Sequence, residues 1–343
     1  LSEIQAHRWD WQAETAYFGG GTPSLMPLEL LQAIMHAIPA QKLAETTIEC
    51  APGTINTEKI RVWIEAGINR VSLGVQSFVT SELRQVGRRH TAEIVEAEIK
   101  LLRQSGMENI NIDLIAGLPG QTFASWKESL DWVERLAPPH VSVYIFEIDE
   151  DSRLGKEVLA GGMRYGAGIL PSDEAAAEFY EQAVERLHGC GIERYEISNF
   201  ARPGWESRHN LKYWRLEPYI GFGLDAHSFD GRERWSNPET LEPYFREGGA
   251  AGQSRDRKGA EQNPDREGGA SSTKRQSDLT EEKFFAGLRL MEGIEPAAHE
   301  WLRFAEPIDK WVQAGYLERA GARLRLAPQG VLVSNEIFQD FVA

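Results

Sequence analysis

Short β-branched or apolar runs alternate with amphipathic helical patterns over residues 15–198, and this alternation constrains the fold more than any other feature of the chain. The runs predict strands over 15–18, 46–50, 70–75, 109–115, 141–148 and 194–198. Apolar spacing between them predicts helices over 28–38, 57–66, 92–105, 123–136 and 174–188, two of them closed by Gly67 and Gly106 as C-terminal caps. Repeated strand and helix units mean an α/β fold, a parallel sheet with covering helices that is either open or curled into a barrel. A ligand site in such a sheet belongs at the carboxyl ends of the strands.

The unusual residues fall at those ends. The first strand opens into Tyr17-Phe18-Gly19-Gly20-Gly21-Thr22-Pro23-Ser24, where side-chain-free positions reach positive φ and admit a ligand closely, and Pro23 fixes the exit. Such a run is either a ligand cradle or a plain tight turn. The second strand ends at Glu49, the third at Gly74-Val75-Gln76-Ser77-Phe78, and the fourth carries Asp113 before Gly117-Leu118-Pro119-Gly120. Two acids and an amide beside glycine-lined turns suit a ribose diol, an amino acid ammonium and an adenine edge, and Arg88 suits a carboxylate. Each also has a bland role, Glu49 and Asp113 as helix caps and Gln76 as a turn residue. The set at consecutive strand ends favours binding.

Length and charge narrow the class. A chain of 343 residues, 41% hydrophobic and 26% charged, buries a large core and is expected to hold two domains. No apolar run approaches the roughly 20 residues that cross a bilayer, and the polar opening residues predict no secretory leader. A net charge of −15 argues against nucleic acid or anionic membrane as a nonspecific partner. The two cysteines, Cys50 and Cys190, make no disulfide framework and suit a reducing cytoplasm. The chain does not begin with Met, so its natural start is expected upstream.

With these residues in hand a resemblance becomes specific. The glycine segment, Ser72-Leu73-Gly74-Val75-Gln76-Ser77-Phe78 and Asn111-Ile112-Asp113-Leu114-Ile115-Ala116-Gly117-Leu118-Pro119 resemble the radical S-adenosylmethionine (SAM) enzymes of the oxygen-independent coproporphyrinogen III oxidase group. His209-Asn210-Leu211-Lys212-Tyr213-Trp214 and the segment from Tyr219 to Ser228 are similar to the HemW-type heme chaperones of that group. The resemblance implies a partial (β/α)6 radical SAM barrel lacking its first strand over 1–246, followed by a winged-helix-like C-terminal domain over 279–343. It implies that Gly20, Gly21 and Thr22 hold the methionine amino end of SAM, that Glu49, Gln76, Arg88 and Asp113 contact its polar groups, and that His209 ligates heme or lies beside it. Taken alone, a lone His beside aromatics is more often a structural or surface residue, and His227 has the weaker claim of the two.

The resemblance also implies a [4Fe-4S] cluster held by Cys-x-x-x-Cys-x-x-Cys, and this chain has no such triplet. The family motif is expected upstream of Leu1; without it no cluster assembles, and with it an electron would cleave SAM to a 5′-deoxyadenosyl radical. The partners implied are heme or porphyrin, an electron donor and a heme-accepting protein, with a peripheral membrane partner protein and a homodimer as further candidates. Three functions follow: a heme chaperone of the radical SAM type, an oxygen-independent coproporphyrinogen III oxidase, or a catalytically silent heme-binding protein.

Residues 247–278 have no side chain larger than Ala among their apolar positions, and balanced charge, and predict a disordered low-complexity linker. Beyond it come helical patterns, a hairpin turning at Ala320-Gly321, and a final helix from Pro328 to Phe341. The wing arginines Arg319, Arg323 and Arg325 invite a DNA-binding reading, which the acidic neighbours Glu281, Glu282, Glu292 and Glu295 oppose.

Overall fold

Seven strands form the main sheet: β1 (Thr15–Phe18), β2 (Glu45–Cys50), β3 (Arg70–Gln76), β4 (Ile110–Ala116), β5 (His140–Ile145), β6 (Glu193–Arg194) and β7 (Asn199–Ala201), in the order β1-β2-β3-β4-β5-β7-β6. β1 to β5 are parallel, as the alternation predicts, and β7 runs antiparallel to both β5 and β6. The computed structural model describes residues 1–7, 11–40, 42–148, 153–246, 275–276 and 278–342. The chain divides into two compact units, one of Thr15–Leu28 with Leu43–Ser207 and one of Leu1–Glu14, Glu29–Lys42 and Arg208–Ala343.

The sheet unit owes its form to a period-2 pattern inside its strands. Ile48, Val71, Leu73, Ile110, Ile112, Leu114, Val141 and Val143 are inaccessible to solvent. Each contributes about 1.5–3 kcal/mol of burial. Because successive side chains point to opposite faces, the residues between them share the other face: Thr47 and Glu49, then Ser72, then Asn111 and Asp113, then His140 and Ser142. The pairing keeps that polar face aligned, with Glu49 opposite Ser72, Asn111 opposite His140 and Asp113 opposite Ser142. A parallel sheet covered by apolar layers on both faces would read as continuous apolar strands. This one has an oily back and a polar front.

The helices in chain order are α1 (Ser2–Ala6), α2 (Leu28–Ala37), α3 (Thr57–Glu65), α4 (Thr80–Gln85), α5 (Ala92–Gln104), α6 (Phe123–Leu136), α7 (Arg153–Leu159) and α8 (Asp173–Gly189), and α8 packs against β4 and β5. α6 matches its predicted range because both ends are specified: Thr122 and Ser125 form a capping box, and Ala137 leaves in the left-handed region with φ 47°. Its Trp126, Leu130 and Val133, spaced along one face, are buried, and the Trp126 indole N–H donates to Phe179 O at 2.7 Å. Gly67 and Gly106 follow α3 and α5 with φ of 91° and 87°, as predicted for C-terminal caps.

One predicted strand is corrected. Residues 194–198 do not form a parallel strand; the buried Glu196 carboxylate accepts from Ser198 N at 3.2 Å and from the Asn199 amide, and this local acceptor folds the segment into the β6–β7 hairpin. β5 stops at Ile145, short of the predicted 148.

The second unit contains α9 (Arg208–Trp214), β8 (His227–Phe229), β9 (Glu233–Ser236), α10 (Leu241–Arg246), β10 (Arg275–Gln276), α11 (Leu279–Gly287), α12 (Ala298–Arg303), α13 (Ala305–Gln313), β11 (Leu317–Ala320), β12 (Arg323–Leu326) and α14 (Ser334–Gln339). Three helices followed by the β11–β12 hairpin give the order expected of a winged helix, packed on Phe284, Phe304 and Phe341 with ring centroids 4.4–5.5 Å apart. The final helix begins later than predicted. Pro328 opens a single 3-10 turn, and a Cβ at Gly330 would stand 2.1 Å from Tyr316 O, a close backbone approach that breaks the run before α14. Apart from 275–276 and 278, the predicted linker over 247–278 lies outside the described residues.

Candidate functional site

The front face of the sheet ends in the glycine run. Gly20 and Gly21 have φ of 78° and 60°, and a Cβ on either would meet nothing within 4 Å, so their backbone borders open space. Glu49, at the end of β2, holds the run in place: it accepts from the Tyr17 hydroxyl at 2.8 Å and from Gly20 N at 3.2 Å. Ser24 secures the far end. Its carbonyl accepts from Lys59 Nζ at 2.8 Å, its hydroxyl lies 2.7 Å from Thr54 Oγ1, and Lys59 also reaches Thr54 O at 2.7 Å. Glu98 fixes the loop after β2 by accepting from Gly53 N at 3.0 Å and Ile55 N at 2.8 Å. The loop is therefore held at both ends and bare in the middle.

Gly19 differs from its two neighbours. A Cβ there would stand 2.8 Å from Tyr17 Cε1 and 3.3 Å from Glu49 Oε1. Gly19→Ala is expected to push the Tyr17 ring off Glu49 and cost about 1–3 kcal/mol, read as a lower urea midpoint. An unchanged midpoint would show that the ring moves freely.

Gln76 closes β3 at φ 69°, a left-handed conformation costly for a side-chain-bearing residue, beside a register shift between Leu73 and Gln76. Its amide lies back over Gly74, where a Cβ would approach Nε2 to 3.2 Å. Asp113, on β4, accepts from the Asn111 amide at 2.6 Å and from the Ser72 hydroxyl at 3.2 Å. Burial pushes its carboxyl up to about 6 and nearby Glu49 adds to the rise, against hydrogen bonds from Ser142 and Asn111 and the charge of Arg70. Burial, reinforced by Glu49, also holds the Tyr17 hydroxyl protonated far above the ordinary range.

Of the predicted SAM residues, the structure brings Gly20 and Glu49 into direct contact and sets Asp113 on the same sheet face, with Gln76 ending the strand between β2 and β4. Gly21 and Thr22 follow in the same loop. Arg88 is half-buried after α4, its backbone N donates to Leu83 O at 2.8 Å, and its guanidinium makes no hydrogen bond or ion pair among the described residues. Tyr17, Ser24 and Lys59 were missed as site-shaping residues. A tyrosine two residues before a glycine run, and a Lys one turn into the next helix, are the signals that carried them.

His209 lies in the other unit, half-buried at the start of α9. Its Nε2 is 2.9 Å from the Tyr213 hydroxyl one turn on, with the rings perpendicular at 5.1 Å, and Tyr213 meets Tyr219 edge-on at 4.6 Å. Lys212, between them, pairs with Glu14 at 2.8 Å. The following glycine loop is anchored by Glu3 of α1, only 5% exposed, which accepts from Gly223 N at 2.9 Å, Asn237 Nδ2 at 2.8 Å and Tyr244 OH at 2.5 Å. His227, the weaker of the two candidates, is exposed at the start of β8, 3.9 Å from Asp225. The wing arginines are each paired: Arg319 with Asp309 at 2.6 Å, Arg323 with Glu295 at 2.9 Å and Arg325 with Glu318 at 2.9 Å.

The thiols do not fit a [4Fe-4S] cluster. Cys50 is buried and Cys190 half-buried, burial raises both thiols above their ordinary range, and among the described residues no three His, Cys, Asp or Glu side chains are grouped to hold a metal.

Residues 1–133 match the model of the Radical SAM superfamily. The chain is 33% identical to Heme chaperone HemW of Bacillus subtilis over 96% of this chain and 85% of that protein, and 31% identical to Heme chaperone HemW of Lactococcus lactis over 100% and 88%. Its fold is similar to that of coproporphyrinogen III oxidase (HemN) from Escherichia coli, with a TM-score of 0.74 at 20% identity over 96% of this chain and 77% of that one. A glycine cradle before a polar sheet face, together with identity over nearly the full length of both relatives, means that the chain belongs to the HemW family of the radical SAM superfamily.

Proposed function

We propose that this protein is a heme chaperone of the radical SAM type, one that binds heme, holds SAM on the glycine cradle and passes the heme to an acceptor protein. The observation that carries the reading is the His209–Tyr213 pair on α9, an imidazole half-buried among aromatic rings in the His-Asn-x-x-Tyr-Trp segment. A neutral imidazole is a good iron ligand, and Tyr213 supplies a flat apolar neighbour for a macrocycle. SAM, when bound, supplies a sulfonium and an adenosyl group. Gly20, Gly21 and Thr22 would hold its amino acid end through backbone N–H groups, Glu49 and Gln76 its polar edges, and Asp113 a hydroxyl or amine. Arg88 would serve a carboxylate. The sequence of this chain does not carry the cysteine triplet that would ligate the cluster.

The partners in this reading are heme, an electron donor and a heme-accepting protein, in a reducing cytoplasm that suits two free cysteines. No helix among the described residues is long and apolar enough to cross a membrane. The decarboxylase reading has fold likeness alone behind it, and fold does not carry function.

Titrating hemin into the full chain is expected to give a shifted Soret band that His209→Ala abolishes. Tyr213→Phe removes the hydroxyl that occupies Nε2 and is expected to keep the shift with equal or tighter affinity. Identical spectra for the parent and His209→Ala would defeat the assignment.

A further inference from the structure

The front face of the sheet holds one buried histidine that the proposed binding roles leave unused. His140, 0% exposed, lies between two polar partners: Nδ1 is 2.6 Å from Asn111 Oδ1 and Nε2 is 2.9 Å from the Tyr195 hydroxyl. Asn111, 2% exposed, turns its Nδ2 to Asp113 Oδ1 at 2.6 Å, Ser72 Oγ at 2.8 Å and Ser142 Oγ at 3.0 Å. Tyr195 in turn accepts from Ser207 N at 3.2 Å.

We propose that His140 is the positioning residue for Asp113, acting through Asn111, with the Tyr195 hydroxyl donating to the ring nitrogen that this arrangement leaves bare. An ionised carboxylate only accepts, so the Asn111 amide must present N–H to Asp113. Its carbonyl then faces His140 and can only accept, which places the imidazole proton on Nδ1 and leaves Nε2 bare. The Tyr195 O–H donates to that bare nitrogen, and its oxygen is free to take the Ser207 N–H. Each donor points toward the next member, ending at Asp113. With the proton on Nε2 instead, two acceptors would face each other at 2.6 Å across His140 and Asn111, the amide would turn over, and a carbonyl would be aimed at the carboxylate.

The charge of the imidazole is settled by its surroundings. Burial, then the Arg70 guanidinium on β3, hold His140 well below its ordinary range, so it stays neutral. Asp113 is faced by Tyr17 of β1, Glu49 of β2, Arg70 of β3 and Tyr144 of β5. The Ser72 hydroxyl also lies 3.4 Å from the oxygen that Asn111 holds. The relevance to nucleotide binding rests on the reading that Asp113 contacts SAM; the hydrogen-bond chain does not.

Nitrogen-15 NMR of the histidines in the unaltered full chain tests the tautomer without any substitution. His140 is expected to show a single Nδ1–H form that does not titrate from about pH 7 to 8.5, where Asp113 is ionised; an Nε2–H form, or titration in that range, overturns the proposal. Tyr195→Phe is expected to leave His140 in the Nδ1–H form, because the Asn111 carbonyl still takes that proton. His140→Ala is expected to raise the Asp113 carboxyl midpoint, read by carbon-13 NMR, by about one pH unit. His140→Asn, whose amide N–H can donate to Asn111, is expected to restore the midpoint, and a midpoint indifferent to both substitutions overturns the proposal. SAM binding by calorimetry separates the two readings: a shifted midpoint with unchanged SAM affinity supports His140 as the positioning residue and removes Asp113 from the SAM site.

Discussion

Replacing Asp113 by Asn is expected to raise the melting temperature of the sheet unit at pH 7.5 while weakening SAM binding. The carboxyl, ordinarily at 3.8, is pushed up to about 6 in the fold. Ionising it there therefore costs up to about 3 kcal/mol, and about 2 kcal/mol once its partial solvent contact is allowed for. Asn keeps an acceptor for the Asn111 and Ser72 donors and drops the charge. At 2–4 °C per kcal/mol for a unit of this size, the gain is about 5 °C. The folded value is raised, so the penalty is full above pH 6, shrinks as pH falls through that value, and vanishes below about 4 where the unfolded carboxyl is also protonated. Calorimetric scans of both proteins at pH 7.5 and pH 4 check this. Equal melting temperatures at pH 7.5 would mean that Asp113 carries no buried charge. A group that destabilises its own fold is characteristic of binding sites, where strain is retained for a ligand.

Glu3→Ala is expected to destabilise the second unit by about 3 kcal/mol, because it strips the acceptor from Gly223 N, Asn237 Nδ2 and Tyr244 OH at once. Truncating one partner of a buried polar cluster costs more than the cluster contributes, since the donors stay desolvated. The loss is expected to be local first, with the Gly223 amide exchanging its hydrogen far faster than in the parent. Glu3→Gln keeps one oxygen and should fall between the two. A Gly223 amide equally protected in Glu3→Ala would show that the glycine loop holds its shape without α1.

Much of the sheet unit was legible because its signals are local. The 15–18 strand and the 123–136 helix match β1 and α6 in both bounds, the first closed by glycine and the second bracketed by Thr122 and Ala137. Predictions failed where a tertiary partner decides the outcome. The 194–198 run has strand composition, yet the buried Glu196 carboxylate turns it into a hairpin, and nothing in its neighbours announces that acceptor. α1 is only five residues long and owes its place to Glu3, whose partners lie more than two hundred positions downstream. Within the candidate site, Gly20, Glu49, Gln76 and Asp113 were readable as polar or bare positions at successive strand ends. The support behind them was not. Asn111 and His140 sit inside apolar strands, and their role appears only when β4 and β5 pair in register.

The two-faced strands carry a consequence for how this lineage can vary in length. Deleting one residue from the middle of β4 would swing Asn111 or Asp113 beneath the helical layer and turn an isoleucine or leucine toward the ligand, inverting every position beyond the cut. Substitutions can be absorbed one at a time, whereas a frame change inside a strand removes the binding surface and the core together. Drift in chain length is thus confined to the connections, and homologues should differ by insertions between these strands while keeping their interiors residue for residue in phase.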